Sequence, residues 1–188
     1  MALMGIAITG DTEADQLLTD DPFALVMGML LDQQFPMERA FSGPARLRER
    51  FGSLEPATIA DADAESFADL CAEPPAVHRY ARSMAGRIQA LARIVVDEHD
   101  GDVTRLWTEA SSGKDLLKRI KALPGFGEQK AKILLALLAK QKGVQPDGWE
   151  EAAGDYAQPG YRSVADVVDA DSLQKVRAYK KEKKAAAK

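Results

Sequence analysis

The sequence predicts a mainly α fold, a two-lobed helical bundle, on three observations. Apolar residues recur at three- and four-residue spacing in several segments, no parallel-sheet pattern or internal repeat appears, and 188 residues with 46% hydrophobic content suffice for a core without a staple. We read residues 1–188 as a single domain, with one lobe over about 20–110 and the other over about 111–188 together with the N-terminal segment 1–19. The single cysteine, Cys71, cannot form an intramolecular disulfide, and no cysteine spacing exists to hold zinc or an iron-sulfur cluster. A reducing cytoplasm is the expected compartment. Residues 1–8 are apolar but short, lack a basic leader and run into acids, so neither a signal peptide nor a membrane span is expected.

Each element follows from local chemistry. Residues 3–9 suit a short strand or an extended arm, and Asp11 to Leu18 a capped helical turn. Asp21-Pro22 reads as N-cap and first helical residue, launching a helix through Phe23, Val26, Met27, Leu30 and Leu31 that ends near Gln33 to Phe35, ahead of Pro36. Met37 to Phe51 is amphipathic, Gly43-Pro44 kinks or splits it, and Gly52 stops it. Thr58 to Leu70 is a helix or two short turns, and Glu73-Pro74-Pro75 breaks the chain. Tyr80, Met84, Ile88, Leu91 and Val95 set one long helix over about 76–98. Helices over about 113–122 and 128–142 flank a glycine turn, an irregular stretch follows, and a last helix starts near Ser172.

Net charge is −4 with a pI near 5.3, which argues against a surface that seeks polyanions everywhere. The distribution is more informative. From Lys114 to Lys142 there are eight bases (114, 118, 119, 121, 130, 132, 140, 142) against Asp115 and Glu128, a local balance of 8 − 2 = +6. Asp11 to Asp21 carries acids without a base, and Asp61 to Glu73 is acidic too. The basic segment contains Leu123-Pro124-Gly125-Phe126-Gly127, in which two glycines flank one apolar residue. Such a reversal brings backbone close to a foreign surface, and the next helix presents free N–H groups and the positive end of its dipole to an anion. That grips a nucleic-acid backbone without reading bases. The same residues also suit an ordinary helical hairpin, and local chemistry leaves both readings open.

Three features in order resemble the helix-hairpin-helix, Gly/Pro-Asp (HhH-GPD) DNA glycosylases of base excision repair. Leu123 to Gly127 is similar to the hairpin; Gly143, Pro146 and Asp147 resemble the loop and its acid; DPFALVMGMLLDQQ resembles the family's early helix and glutamine turn. The resemblance covers most of residues 20–150 and implies a DNA glycosylase that hydrolyses the N-glycosidic bond of a damaged or mismatched base flipped from double-stranded DNA. Asp147, 147 − 129 = 18 positions beyond Gln129, matches the catalytic aspartate, whose carboxylate would stabilise oxocarbenium charge in a dry pocket and orient water. Pro-Asp-Gly is also an ordinary turn sequence.

The resemblance further implies DNA contacts from Gln33, Gln34, Gly125, Phe126, Gly127, Gln129 and Lys130, with Gln34 filling the gap left by the extruded base. Asp32 and Trp149 are base-pocket candidates, and Tyr156 and Tyr161 flank the same loop. A monovalent cation, Na+ or K+, is implied on the backbone carbonyls of Lys121, Leu123 and Phe126; no cofactor is required and no iron-sulfur cluster is expected. Members that also cut the backbone carry a lysine where Gln129 stands, so lyase activity is not expected. In the alkylation-repair branch the second acid of a Pro-Asp-Asp run is catalytic, and Gly148 stands there, which leaves a non-catalytic protein recognising distorted DNA as the alternative. His78 and His99 read as core or surface residues, not metal ligands. The basic run from Lys175 to Lys188 reads as solvated helix or added backbone-binding surface. A nucleoid-associated monomer, with no membrane partner, is the expected state.

Overall fold

The computed structural model describes residues 5–187. The start of the expected strand at 3–9 and Lys188 of the basic run lie outside them. Residues 5–9 form no strand; instead the backbone N–H groups of Ile8 and Thr9 donate to the Asp15 carboxylate (3.1 and 2.9 Å), and Ile6 and Ile8 are buried. Among the described residues every regular element is helical.

The acidic N-terminal stretch is used up in capping. Asp11 caps α1 (Thr12–Asp20) through the N–H groups of Glu13 and Ala14, and Asp21 caps α2 (Pro22–Leu31) through those of Phe23 and Ala24. Every residue of α2 from Phe23 to Leu31 is buried, so this helix is apolar on all sides because protein surrounds it. The Gly43-Pro44 signal separates α3 (Met37–Ala40) from α4 (Gly43–Phe51), which ends at Gly52 with φ of 89°. The segment expected over 58–70 is two helices, α5 (Pro56–Ala60) and α6 (Ala64–Ala72), both packed on α7 (Ala81–His99). α7 starts later than its periodicity suggests because residues 76–80 turn to deliver His78 into the interior.

After α8 (Arg105–Thr108), α9 (Gly113–Lys121) and α10 (Glu128–Lys142) form the basic hairpin. α10 is the second buried helix, with Ala131, Leu134, Leu135, Leu137 and Leu138 enclosed by α2, α9, α11 (Trp149–Ala153) and two 3₁₀ turns at Gly154–Ala157 and Val164–Asp166. Buried Gln141 ties the second turn down, its amide donating to the carbonyls of Ala165 (2.7 Å) and Val167 (3.1 Å). Lys140 pairs with Asp166 at 2.7 Å in the same place. α12 (Ala170–Ala186) closes the chain, capped by Asp169 and anchored by buried Val176.

The buried apolar residues, from Ile6 to Val176, form one continuous cluster across both sequence halves. α1 rests on α2 and α4, and Lys142 donates to the Thr19 carbonyl at 2.6 Å, so the N-terminal segment touches both halves.

Gly113 sets the seam between α9 and α11. A Cβ there would lie 2.5 Å from Trp149 Cα and 2.6 Å from its N, and Gly113 N–H donates to Asp147 O at 2.8 Å. Because backbone is less able to yield than a side-chain tip, Gly113→Ala is expected to cost about 1–3 kcal/mol. A lowered Tm in thermal unfolding checks this.

Candidate nucleic-acid interface

The reversal is built by an inward-facing pair, Leu123 and Phe126, both under 5% exposed, which leaves Gly125 and Gly127 at the surface. Gly125 has φ of 82°, and a Cβ there would lie 2.5 Å from Leu30 Cδ1, so conformation and packing both require glycine. Gly127 is different. As the N-cap of α10 it has φ of −75° and ψ of −178°, nothing lies within 4 Å of a Cβ built on it, and no side chain caps the helix. Space leaves room for a side chain here, and the 15-residue α10 starts at the exposed surface without a side-chain cap, which makes its start a candidate anion site. Leu123 O accepts from Phe126 N–H at 3.2 Å, while no backbone N–H among the described residues reaches the carbonyls of Lys121 or Phe126. These oxygens retain lone pairs suited to a hard cation.

Gln34 has φ of 52°, one of two non-glycine residues in the left-handed region among those described, and its side chain is exposed at the tip of the turn after α2. The surrounding residues over-determine this turn. Gln33 Nε2 donates back to Leu30 O (2.9 Å), Arg87 donates to Gln33 Oε1 (3.1 Å), and His78 Nε2 donates to Gln33 O (2.8 Å). The tautomer follows from the other ring nitrogen, since His78 Nδ1 accepts from Tyr80 N–H at 2.9 Å. Phe35 packs against the imidazole at 4.8 Å between centroids. Gln33, expected as a DNA contact, has both ends of its amide engaged inside the protein and clamps the turn. His78, read from the sequence as an isolated residue, is what holds Gln33 in place.

Lys130 also turns inward. Its ammonium donates to Leu30 O at 3.0 Å, lies 5.9 Å from the centre of the Phe126 ring, and approaches Asp32 at the end of α2. It satisfies a terminal carbonyl of α2, where the dipole favours a cation, and does not project toward a phosphate. Burial pushes its pKa down to about 8, against the pull of Asp32. Burial in turn raises the Asp32 carboxyl above its ordinary value, with Lys180 and Lys130 acting in the opposite direction and Glu38 adding to the rise.

Gln34 and Gln129 line one cleft of about 600 Å³ with Ile133, Tyr156 and residues of α12. Gln129 Nε2 donates to the Tyr156 hydroxyl at 2.9 Å. Asp147 is elsewhere. It lies exposed in a separate groove of about 400 Å³ with Glu128 and Lys132, on a different face of α10, so the expected dry pocket does not form around it. Trp149 is likewise displaced from the cleft, because its backbone is pressed against Gly113 and its ring packs on the core. Of the loop's aromatic residues, Tyr156 reaches the cleft and exposed Tyr161 instead carries Lys175, 4.8 Å from its ring centre. Among the described residues no cluster of metal-ligating side chains forms, and no helix is long and apolar enough to cross a membrane.

Residues 27–188 match the family model of the HhH-GPD superfamily base excision DNA repair proteins, and the chain belongs to that family. No curated protein matches it at a significant level. The shared function is of the DNA glycosylase type and entails binding DNA.

Two outcomes follow from the geometry. Gly125→Ala is expected to lower Tm, since the αL position and Leu30 both resist it, whereas Gly127→Ala should change stability by less than about 0.5 kcal/mol while weakening DNA binding in a filter or anisotropy assay. His78 has its pKa depressed first by burial and also by Lys130 and Arg79, so its stabilisation is present above the ordinary value of 6.5 and lost as pH falls through the depressed one. His78→Ala should cost about 1–3 kcal/mol at neutral pH, by orphaning the Gln33 carbonyl, and remove that part of the acid dependence in unfolding measured against pH.

Proposed function

We propose that the chain is a monofunctional DNA glycosylase in which the Gln34 cleft receives the extruded nucleotide and Asp32 supplies the carboxylate. One observation carries this: half-buried Asp32 stands at the end of α2, two residues before the strained Gln34 of the cleft wall, with its carboxyl raised above its ordinary value first by burial, while Asp147 is exposed in a groove on another face. Breaking the N-glycosidic bond sends its electron pair to the departing base and leaves positive character on the sugar. A desolvated carboxylate stabilises that charge more strongly than a solvated one and accepts the proton from the attacking water. Gln34 fills the vacated stack, and the α10 start with Gly127 holds a phosphate.

The monofunctional reading is supported at the position matching the lyase lysine, where Gln129 lacks an amine and the neighbouring Lys130 amine is engaged by Leu30 O. A Na+ or K+ ion on the carbonyls of Lys121, Leu123 and Phe126 would add positive charge facing that phosphate. The solvated position of Asp147 favours one second reading, a non-catalytic protein that recognises distorted DNA through the same turn and hairpin.

Base release from duplexes carrying single oxidised, alkylated, deaminated or mismatched bases separates these. Asp32→Asn is expected to reduce single-turnover release by about 100-fold or more, and Asp147→Asn to leave it within about threefold. The pH profile should show an acid limb above the ordinary carboxylate range and an alkaline limb near about 8, belonging to the coupled Asp32 and Lys130. Loss in Asp147→Asn with full activity in Asp32→Asn would reverse the assignment. Tight binding without release from any duplex would leave the non-catalytic reading.

A further inference from the structure

The face of α12 that looks into the Gln34 cleft is basic. Lys180, Lys183 and Lys184, with Arg162 from the preceding loop, converge on its wall. None of the four forms an ion pair among the described residues, whereas Lys175 pairs with Asp171, Lys140 with Asp166 and Arg177 with Glu38. Lys180 faces the Asp32 carboxyl beyond ion-pair distance, and the other three have no facing carboxylate in an ion pair, so the cluster is unfavourable in the free protein and favourable once an anion enters.

Their placement is constrained. Lys183 Nζ stands 5.6 Å from the ring centre of Tyr156 and 6.0 Å from that of Tyr179, and the Arg162 guanidinium carbon 5.9 Å from the Tyr179 ring. The aromatic faces hold these two cations by their quadrupoles; Arg162 Nε also donates to the Pro159 carbonyl at 3.3 Å, which leaves its terminal N–H groups and the Lys183 ammonium to meet an anion. The helix itself is tied to the turn it faces, through the ion pair of Arg177 with Glu38, four residues beyond Gln34. Only one Glu38 oxygen is used, the other being buried without a partner.

We propose that this cradle is a second backbone grip: it binds a phosphodiester of the strand carrying the extruded nucleotide, across the cleft from the phosphate held at the α10 start. The inference rests on the reading that DNA with an extruded nucleotide occupies this cleft. Two grips on opposite walls hold the strand on either side of one nucleotide, which favours the distorted duplex over the straight one.

The test uses the full-length chain, a duplex with a single tetrahydrofuran abasic analogue, and its intact counterpart, with affinity measured against salt concentration. The double variant Lys183→Gln/Lys184→Gln is compared with a control of equal charge change outside the cleft, Arg105→Gln/Lys181→Gln. The cradle variant is expected to reduce the slope of log K against log salt by about 2 on the abasic-analogue duplex, to lose about tenfold in affinity at moderate salt, and to lose less on the intact duplex. An unchanged slope, equal losses on both duplexes, or the same loss in the control would overturn the proposal. Base release by the unaltered chain is scored separately: a cradle-dependent slope without any base release sustains the grip and removes the glycosidic reading, while base release with an unchanged slope does the reverse.

Discussion

The site depends on one close contact, the docking of Leu30 at the end of α2 against the hairpin. Leu30 Cδ1 fills the space that a Cβ on Gly125 would need, while Leu30 O accepts from both Gln33 Nε2 and Lys130 Nζ. Two buried helices, α2 and α10, are thereby locked end to start. The C-terminal carbonyl of one is satisfied by a lysine of the other, and the dipole of α2 favours the cation there. Asp32 and Gln34 lie within a few residues of this joint on one side, Gly127 and Gln129 on the other. A backbone turn in a sparsely populated conformation persists at Gln34 because His78, Arg87 and Phe35 hold its neighbours.

The charge pattern has two physical uses. Acids at Asp11, Asp21, Asp63 and Asp169 cap helix starts, and Asp15 satisfies the arm before α1. Bases are left to the hairpin and to α12, where the cleft opens. A net negative chain can in this way present a positive wall to a polyanion, since the acids are consumed locally by backbone N–H groups. Some basic residues of the hairpin segment are used inside the protein, Lys130 as well as Lys140 and Lys142. The position of Lys130 in the sequence beside the hairpin suggests a phosphate contact, but burial of its stem and the demand of an orphan carbonyl turn it inward.

Capping and periodicity act over a few residues, and this is why much of the fold could be read from sequence. Asp21-Pro22 begins α2, Gly43-Pro44 divides α3 from α4, Gly52 stops α4, and Glu128–Lys142 is the helix its pattern predicts. The hairpin was legible for the same reason, because a positive φ at Gly125 and a helix start at Gly127 leave local signatures, whereas the glutamine turn was read from the family resemblance. His78 left none. Its function is to hydrogen bond with Gln33, 45 positions away, and no spacing rule links the two.

By itself the sequence determined a mainly α chain, the boundaries of most of its longer helices to within a few residues, the glycine reversal in a basic segment and the resemblance that family membership bears out. Only the tertiary structure decided which carboxylate is drawn out of water. Asp32 and Asp147 look alike in a one-dimensional string, each in a turn-forming context. Burial is a property of what packs around a residue: Asp32 at the end of α2 is half-buried and feels Lys180 and Lys130, while Gly113 and Trp149 pin the other loop on a different face of α10.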